Sequence, residues 1–169
     1  QFRGDRSPRM AQLLQPLARA HRSMNELGTV DSLLDLVESV LEADPGQGRI
    51  ARAHAHVTRG HVALERGDLD RGEQEYQAAL DLRRAIGASD LEVANSNGDL
   101  AGVARRRGNL ALADSLIAWS IAVKRKHLGD MHPEVGDDLR EMGAIALARH
   151  DYAAAEQSYR DALLRYEGA

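Results

Sequence analysis

Cysteine is absent from the 169-residue chain, which excludes disulfides and thiol chemistry and suits a reducing compartment, so a cytoplasmic location is expected. No apolar run approaches the roughly 18 residues of a membrane span, and no signal-peptide h-region is visible. Lysine occurs only at 124 and 126, and no basic block stands out against a net charge of −4. Neither nucleic acid nor a membrane surface is therefore an expected partner. Also missing are the G-x-S-x-G, P-loop, H-E-x-x-H and kinase signatures. Carboxylates are plentiful but fall on the polar faces of periodic segments, the default for soluble helices. The chain reads as non-enzymatic, with no metal and no cofactor. It begins at Gln1 rather than Met, so a piece of a longer protein is expected, and any catalysis would belong to another domain.

What is present is a period. The stretches RGDLDRGEQEYQAAL (66–80), RGNLALADSLIAWSI (107–121) and RHDYAAAEQSYRDAL (149–163) share one pattern. A basic residue and a turn pair precede an apolar residue, then a small one, then an aromatic or aliphatic one. The turn residues Gly67, Gly108 and His150 lie about 41 or 42 residues apart, and a fixed spacing near this length points to a helical array. A fainter copy precedes them, with Gly28, Leu33, Val37, Val40 and Leu41 in the matching places.

The segments before each turn have helical spacing, as in Val57, Gly60, Val62 and Ala63 before Gly67. Gly60, Ala101 and Gly143 are small enough to let two helix backbones approach, which suits antiparallel helices joined by a tight turn. Gly67 and Gly108 are expected to end the first helix in the left-handed region, with His150 as a tolerated substitute. Asp68, Asn109 and Asp151 follow as N-caps. The spacing predicts eight helices, at about 8–27, 30–43, 47–66, 69–86, 89–107, 110–127, 133–149 and 152–167, in one domain over 1–169. Gly72 and Ser120, in places where alanine is expected, are predicted to loosen packing locally.

Gly60, Gly67, Asp68, Leu69, Tyr76, Ala79 and Leu80 resemble the tetratricopeptide repeat consensus. So do Leu100, Ala101, Gly108, Asn109, Leu110 and Ala113, and Gly143, Asp151, Tyr152, Ala155, Tyr159, Ala162 and Leu163. The usual repeat is about 34 residues. The longer period here, with Arg125, Leu128, Gly129, His132, Pro133 and Val135 as a linker, looks like the 42-residue subclass known from kinesin light chains and from bacterial regulators. LEADPGQGR (41–49) is similar to a stretch preceding such repeats in bacterial Ser/Thr kinases, and the preference for arginine fits a GC-rich bacterial genome. The resemblance implies an all-α, right-handed superhelical solenoid of about four antiparallel helix pairs, at 8–43, 47–86, 89–127 and 133–167.

The resemblance also implies a non-catalytic scaffold that binds a peptide or partner protein in a concave groove lined by the first helices. Family positions place Arg19, Arg22, Asn25, His54, Thr58, His61, Asp99, Arg105, Asp137, Arg140 and Glu141 on that side. Gly98 with Asp99 and Arg140 with Glu141 stand where the subclass often has asparagine pairs gripping peptide backbone, so that clamp is not carried over. A solvated face with no ligand is the bland alternative. A second function is a structural or oligomerisation segment of a larger regulator. It would use the stripe Leu116, Trp119 and Val123, whose simpler reading is packing between repeats, or Tyr159, Leu163, Leu164 and Tyr166 on the last helix, and it admits a homodimer through the terminal helices.

Other tempting sites have simpler readings. His54 and His61 share a helical face but sit about 10 Å apart along the axis, too far for one zinc. Arg105, Arg106 and Arg107 are either an anion patch or cations favoured by a helix C-terminus. Arg3-Gly4-Asp5 and Arg66-Gly67-Asp68 spell an adhesion tripeptide, the second being a helix stop followed by a cap. In KHLGDMHPEV (126–135), His127, Asp130, His132 and Glu134 suggest a metal site. Pro133 at a first helical position, His132 before it, Glu134 in the first turn and Gly129 ending the previous helix read better as punctuation.

Overall fold

The computed structural model describes residues 8–42 and 48–167. Its elements are α1 (Pro8–Ser23), α2 (Leu27–Leu41), α3 (Arg49–Glu65), α4 (Leu69–Ala85), α5 (Asp90–Arg106), α6 (Leu110–Leu128), α7 (Pro133–Ala148) and α8 (Tyr152–Glu167). Each odd-numbered helix packs mainly on the even-numbered helix that follows it. The chain forms two compact units, Gln1–Gly87 with α1–α4 and Ala88–Ala169 with α5–α8.

One turn recurs four times. Asn25, Gly67, Gly108 and His150 have φ of 59°, 79°, 78° and 63°. At each, the next residue's N–H reaches back to close the helix: Glu26 to His21 O, Asp68 to Ala63 O, Asn109 to Ala104 O and Asp151 to Ala146 O, at 2.9–3.0 Å. This satisfies carbonyls that the helix end would leave open. Asp68, Asn109 and Asp151 then cap the next helix through the backbone N–H groups of Arg71, Leu112 and Ala154. The first copy differs from its sequence reading. Its turn residue is Asn25, and Gly28 lies inside α2, so α1 ends at Ser23 rather than at 27. Asparagine serves because, after glycine, it is among the residues that best tolerate the left-handed region.

The core of unit 1 gathers Ala18, Val30, Leu34, Val37, Val40, Leu41, Ala55 and Val62, all essentially buried. That of unit 2 gathers Ala101, Ala113, Ile117, Ile121, Val135, Leu139 and Ile145. Small residues set the close approaches. A Cβ at Gly60 would lie 2.5 Å from Cε1 of the buried Tyr76, and one at Gly143 would lie 3.0 Å from the Tyr159 ring.

The expected loosening at Gly72 and Ser120 is not found. Leu64 fills the space at Gly72, where a Cβ would meet its Cδ2 at 2.7 Å. Ser120 is fully buried, with its Oγ 2.9 Å from Ala94 O and 2.5 Å from Asp138 Oδ2. Nζ of Lys124 donates to Asp138 Oδ1 at 2.8 Å. The hydroxyl in an alanine position is therefore part of a buried polar network joining α5, α6 and α7.

Candidate partner-binding site

In unit 1 the first helices bring together five of the residues singled out by register. Arg19, Arg22, His54, Thr58 and His61 line one recess of about 340 Å³, joined by Val57 and by Arg83 from α4. The seven-residue separation of His54 and His61 puts both on one face of α3, and Arg19 and Arg22 occupy the facing last turns of α1. Among the described residues, no carboxylate lines the recess. Nη1 of Arg22 reaches Glu65 at 3.4 Å. Thr58 Oγ1 donates to His54 O within its own helix at 3.1 Å. His61 Nδ1 lies 2.7 Å from the Tyr76 hydroxyl. Asn25 is the exception among the unit 1 candidates: it lies in the α1–α2 turn, not on the helix face.

In unit 2 the candidates lie on α5 and α7, and several neutralise one another. Arg105 Nε donates to Glu141 Oε1 at 2.6 Å, a half-buried pair linking the two helices. Asp137 accepts the Tyr166 hydroxyl at 2.8 Å. Arg140 is exposed. Among Arg105, Arg106 and Arg107, the first is thus held by a carboxylate, which the two sequence readings had not included.

Residues 51–126, which span α3 to α6, match the family model for the tetratricopeptide repeat. This stretch is a tetratricopeptide repeat region. Among solved structures, BtubC (BKLC) from P. vanneervenii is similar, with a TM-score of 0.79 at 17% identity over 95% of this chain. The chain spans 65% of the length of that one. Nothing among curated proteins matches. The fold is accordingly an all-α solenoid of repeats, a class that generally mediates protein–protein interaction.

Outside the recess, the repeats use their chemical-looking motifs structurally. Gly129, at φ 91°, ends α6. His132 is the N-cap of α7, its Nδ1 accepting from Glu134 N at 3.2 Å, with Pro133 next. Asp130 holds Arg125 at 2.7 Å and Arg165 at 2.8 Å. His127 lies 3.5 Å from Asp90. Arg66 pairs with Asp31 at 2.6 Å, so the tripeptide 66–68 is a helix end, an αL turn and a cap. Arg3-Gly4-Asp5 lies outside the described residues, as does most of the 41–49 stretch. Among the described residues, no cluster of His, Asp and Glu is arranged to hold a metal ion, and no helix is long and apolar enough to cross a membrane.

The second recess of unit 1, about 540 Å³, has mixed charge that is largely paired. Arg59 reaches Glu38 at 3.0 Å, and Arg71 reaches Glu75 at 2.5 Å. Burial pulls the Glu75 carboxyl up, but the His56 hydrogen bond and the charges of His56, Arg71 and Arg59 outweigh it and hold it below the usual range.

His61 makes stability depend on pH. Burial, helped by the charge of Arg22, lowers its pKa from 6.5 to about 4. The unfolded chain therefore takes up this proton before the folded one does. The associated stability is present above about pH 6.5 and is lost as pH falls toward 4, by up to about 3 kcal/mol. The urea midpoint of the native chain should fall across this window more steeply than that of His61→Gln. Equal slopes would mean that His61 is not held neutral by the fold.

Proposed function

We propose that the chain is a non-catalytic binding module that takes an extended peptide of a partner protein on its first helices. The observation that supports this most is the recess of unit 1, where side chains from α1, α3 and α4 converge. On unit 2, Asp99 lies on α5, and Asp137 and the exposed Arg140 lie on α7, the two helices that the Arg105–Glu141 pair links. The absence of cysteine suits a cytoplasmic regulator, and the 41–42-residue spacing suits the longer repeat subclass.

A second reading rests on a different surface. Leu112 and Trp119, seven residues apart on α6, are 44% and 42% exposed, and exposed aromatic residues are frequent anchors in interfaces. Leu116 instead packs on the core of unit 2, and Val123 is half-buried. On α8, Leu163 and Leu164 are exposed. The Tyr159 ring faces Gly143, and the Tyr166 hydroxyl bonds Asp137.

Selection from a random peptide library on the full chain, repeated with Arg140→Glu plus Asp99→Arg, with Arg22→Glu and with Trp119→Ala, separates the two. Peptide capture that survives Trp119→Ala and is lost in the first-helix variants supports the groove. Association lost only in Trp119→Ala, with light scattering showing dissociation of a dimer, supports the second reading instead.

A further inference from the structure

We infer that the exposed face of α6 pairs with the same face of a second copy of the chain, the two helices running antiparallel about a two-fold axis. The inference rests on the reading of this face as an interface, names its occupant and register, and is independent of the peptide-binding reading. Six residues of α6 between 111 and 122 are exposed: Ala111, Leu112, Ser115, Ala118, Trp119 and Ala122. None carries a charge. The matching places on α4 hold Asp70, Arg71, Gln74, Gln77, Ala78 and Asp81, the polar surface expected of a helix that faces water. On α8, Arg160 and Asp161 stand where α6 has Ala118 and Trp119. The change leaves Leu112 and Trp119 44% and 42% exposed, so burial within the chain accounts for only part of it.

The face is self-complementary. Ala111, Ser115, Ala118 and Ala122 follow the alternating spacing of four, three and four that turns toward a partner helix. Antiparallel pairing sets Ala111 against Ala122 of the second copy and Ser115 against its Ala118, each contact occurring twice, as a two-fold interface requires. Small side chains in the seam let the axes approach closely. Leu112 and Trp119, seven residues apart, then flank the seam on one side, and each Trp119 lies beside Leu112 of the other copy. A two-fold axis sets like surface on like, and a face without charge meets no repulsion there. The nearest carboxylate, Asp114, is already held by Arg149. The Ser115 hydroxyl donates to Ala111 O at 3.0 Å, so covering it strands no donor. A helix of this length runs about 28 Å and is about 10–12 Å across, which gives a seam on the order of 300–400 Å² per copy. That is about half of what a standard interface buries, so the dimer is weak and reversible, with a dissociation constant on the order of tens of micromolar. It engages no residue of α5 or α7 and presents the peptide surface twice, which raises avidity for a partner with repeated segments.

The test is sedimentation velocity of the full chain over concentrations that bracket this constant, with the emission of Trp119, the sole tryptophan, recorded alongside. We expect a monomer–dimer equilibrium, a blue shift as the dimer forms, and a dissociation constant raised at least about tenfold by Trp119→Ala and by Leu112→Glu. Both residues are exposed, so the variants keep the fold, and Arg140→Glu should leave the equilibrium unchanged. The absence of cysteine opens a test of register. Ala111→Cys and Ala122→Cys, mixed and mildly oxidised, should join in a mixed disulfide. Neither should cross-link to itself, because like positions would lie about 16 Å apart, beyond the reach of a disulfide. A monomer at every concentration, a dimer unmoved by both Trp119→Ala and Leu112→Glu, or Ala122→Cys cross-linking to itself would overturn the inference. A monomer that captures another protein through Trp119 would overturn it while leaving the face an interface. A monomer with no association sensitive to Trp119 would end both readings. A dimer of this register with no library peptide on the first helices would uphold the inference and remove the peptide surface instead.

Discussion

Asp138→Ala is expected to cost about 3–5 kcal/mol, because it strands the Lys124 ammonium in the interior. The two side chains are each 6% exposed, and the Lys124 Nζ to Asp138 Oδ1 distance is 2.8 Å. Asp138 also contacts Ser120, which reaches Ala94 on α5, so one carboxylate ties three helices of unit 2. Burial pushes the Asp138 carboxyl up, against the opposing pull of Lys124 and Ser120, and burial prevails. Charge in this network is therefore tolerated rather than favoured. Two consequences separate this account from a simple salt bridge. Asn at 138, which keeps the shape and an acceptor, should cost less than Ala. The double variant Lys124→Met/Asp138→Leu should recover most of the loss, since well-packed apolar groups often replace a buried pair without penalty. Thermal unfolding followed by circular dichroism should show a fall on the order of 10 °C for Asp138→Ala. A double variant as unstable as the single one would show that the network itself is required.

The second large effect is steric. Gly60→Val should destabilise unit 1 by about 1–3 kcal/mol or more, because the added Cβ falls 2.5 Å from the Tyr76 ring. That ring cannot retreat cheaply. It is 1% exposed, and its hydroxyl is held by His61 at 2.7 Å. Gly143→Val meets the half-buried Tyr159 at 3.0 Å and should cost less. Gly72→Ala meets chiefly the flexible Leu64 side chain, its Cδ2 at 2.7 Å and Cγ at 3.2 Å, with the backbone no nearer than Gly60 O at 3.6 Å. Its strain should be roughly cancelled by the better helix propensity of alanine, about 1 kcal/mol. Urea midpoints that rank the three otherwise would contradict the packing described here.

Most of the fold was legible because the period is carried by positions with strong local requirements. Gly67, Gly108 and His150 all adopt the positive φ that their spacing suggested, and the caps beside them follow. The first turn was misplaced because Gly28 is conspicuous while Asn25, 42 residues before Gly67, is not; strict register would have found it. In the site, the shared face of His54, Thr58 and His61 follows from helical spacing alone. Arg83 was missed because it lies on a second helix, and only packing brings it to a recess lined otherwise by first helices. The Arg105–Glu141 pair joins residues 36 apart in the chain, and no local pattern announces it. Ser120, Lys124 and Asp138 did leave a signal: a hydroxyl in an alanine position beside two charges at buried places. It looked like looseness because each departure was considered by itself.

Hydrogen exchange on the full chain, with and without a library-selected peptide, tests the central claim most directly. The account predicts slowed exchange concentrated in the first helices, strongest where α1 and α3 border the recess. Protection confined to α6 and α8, or no selected peptide that protects α1 and α3, would contradict it.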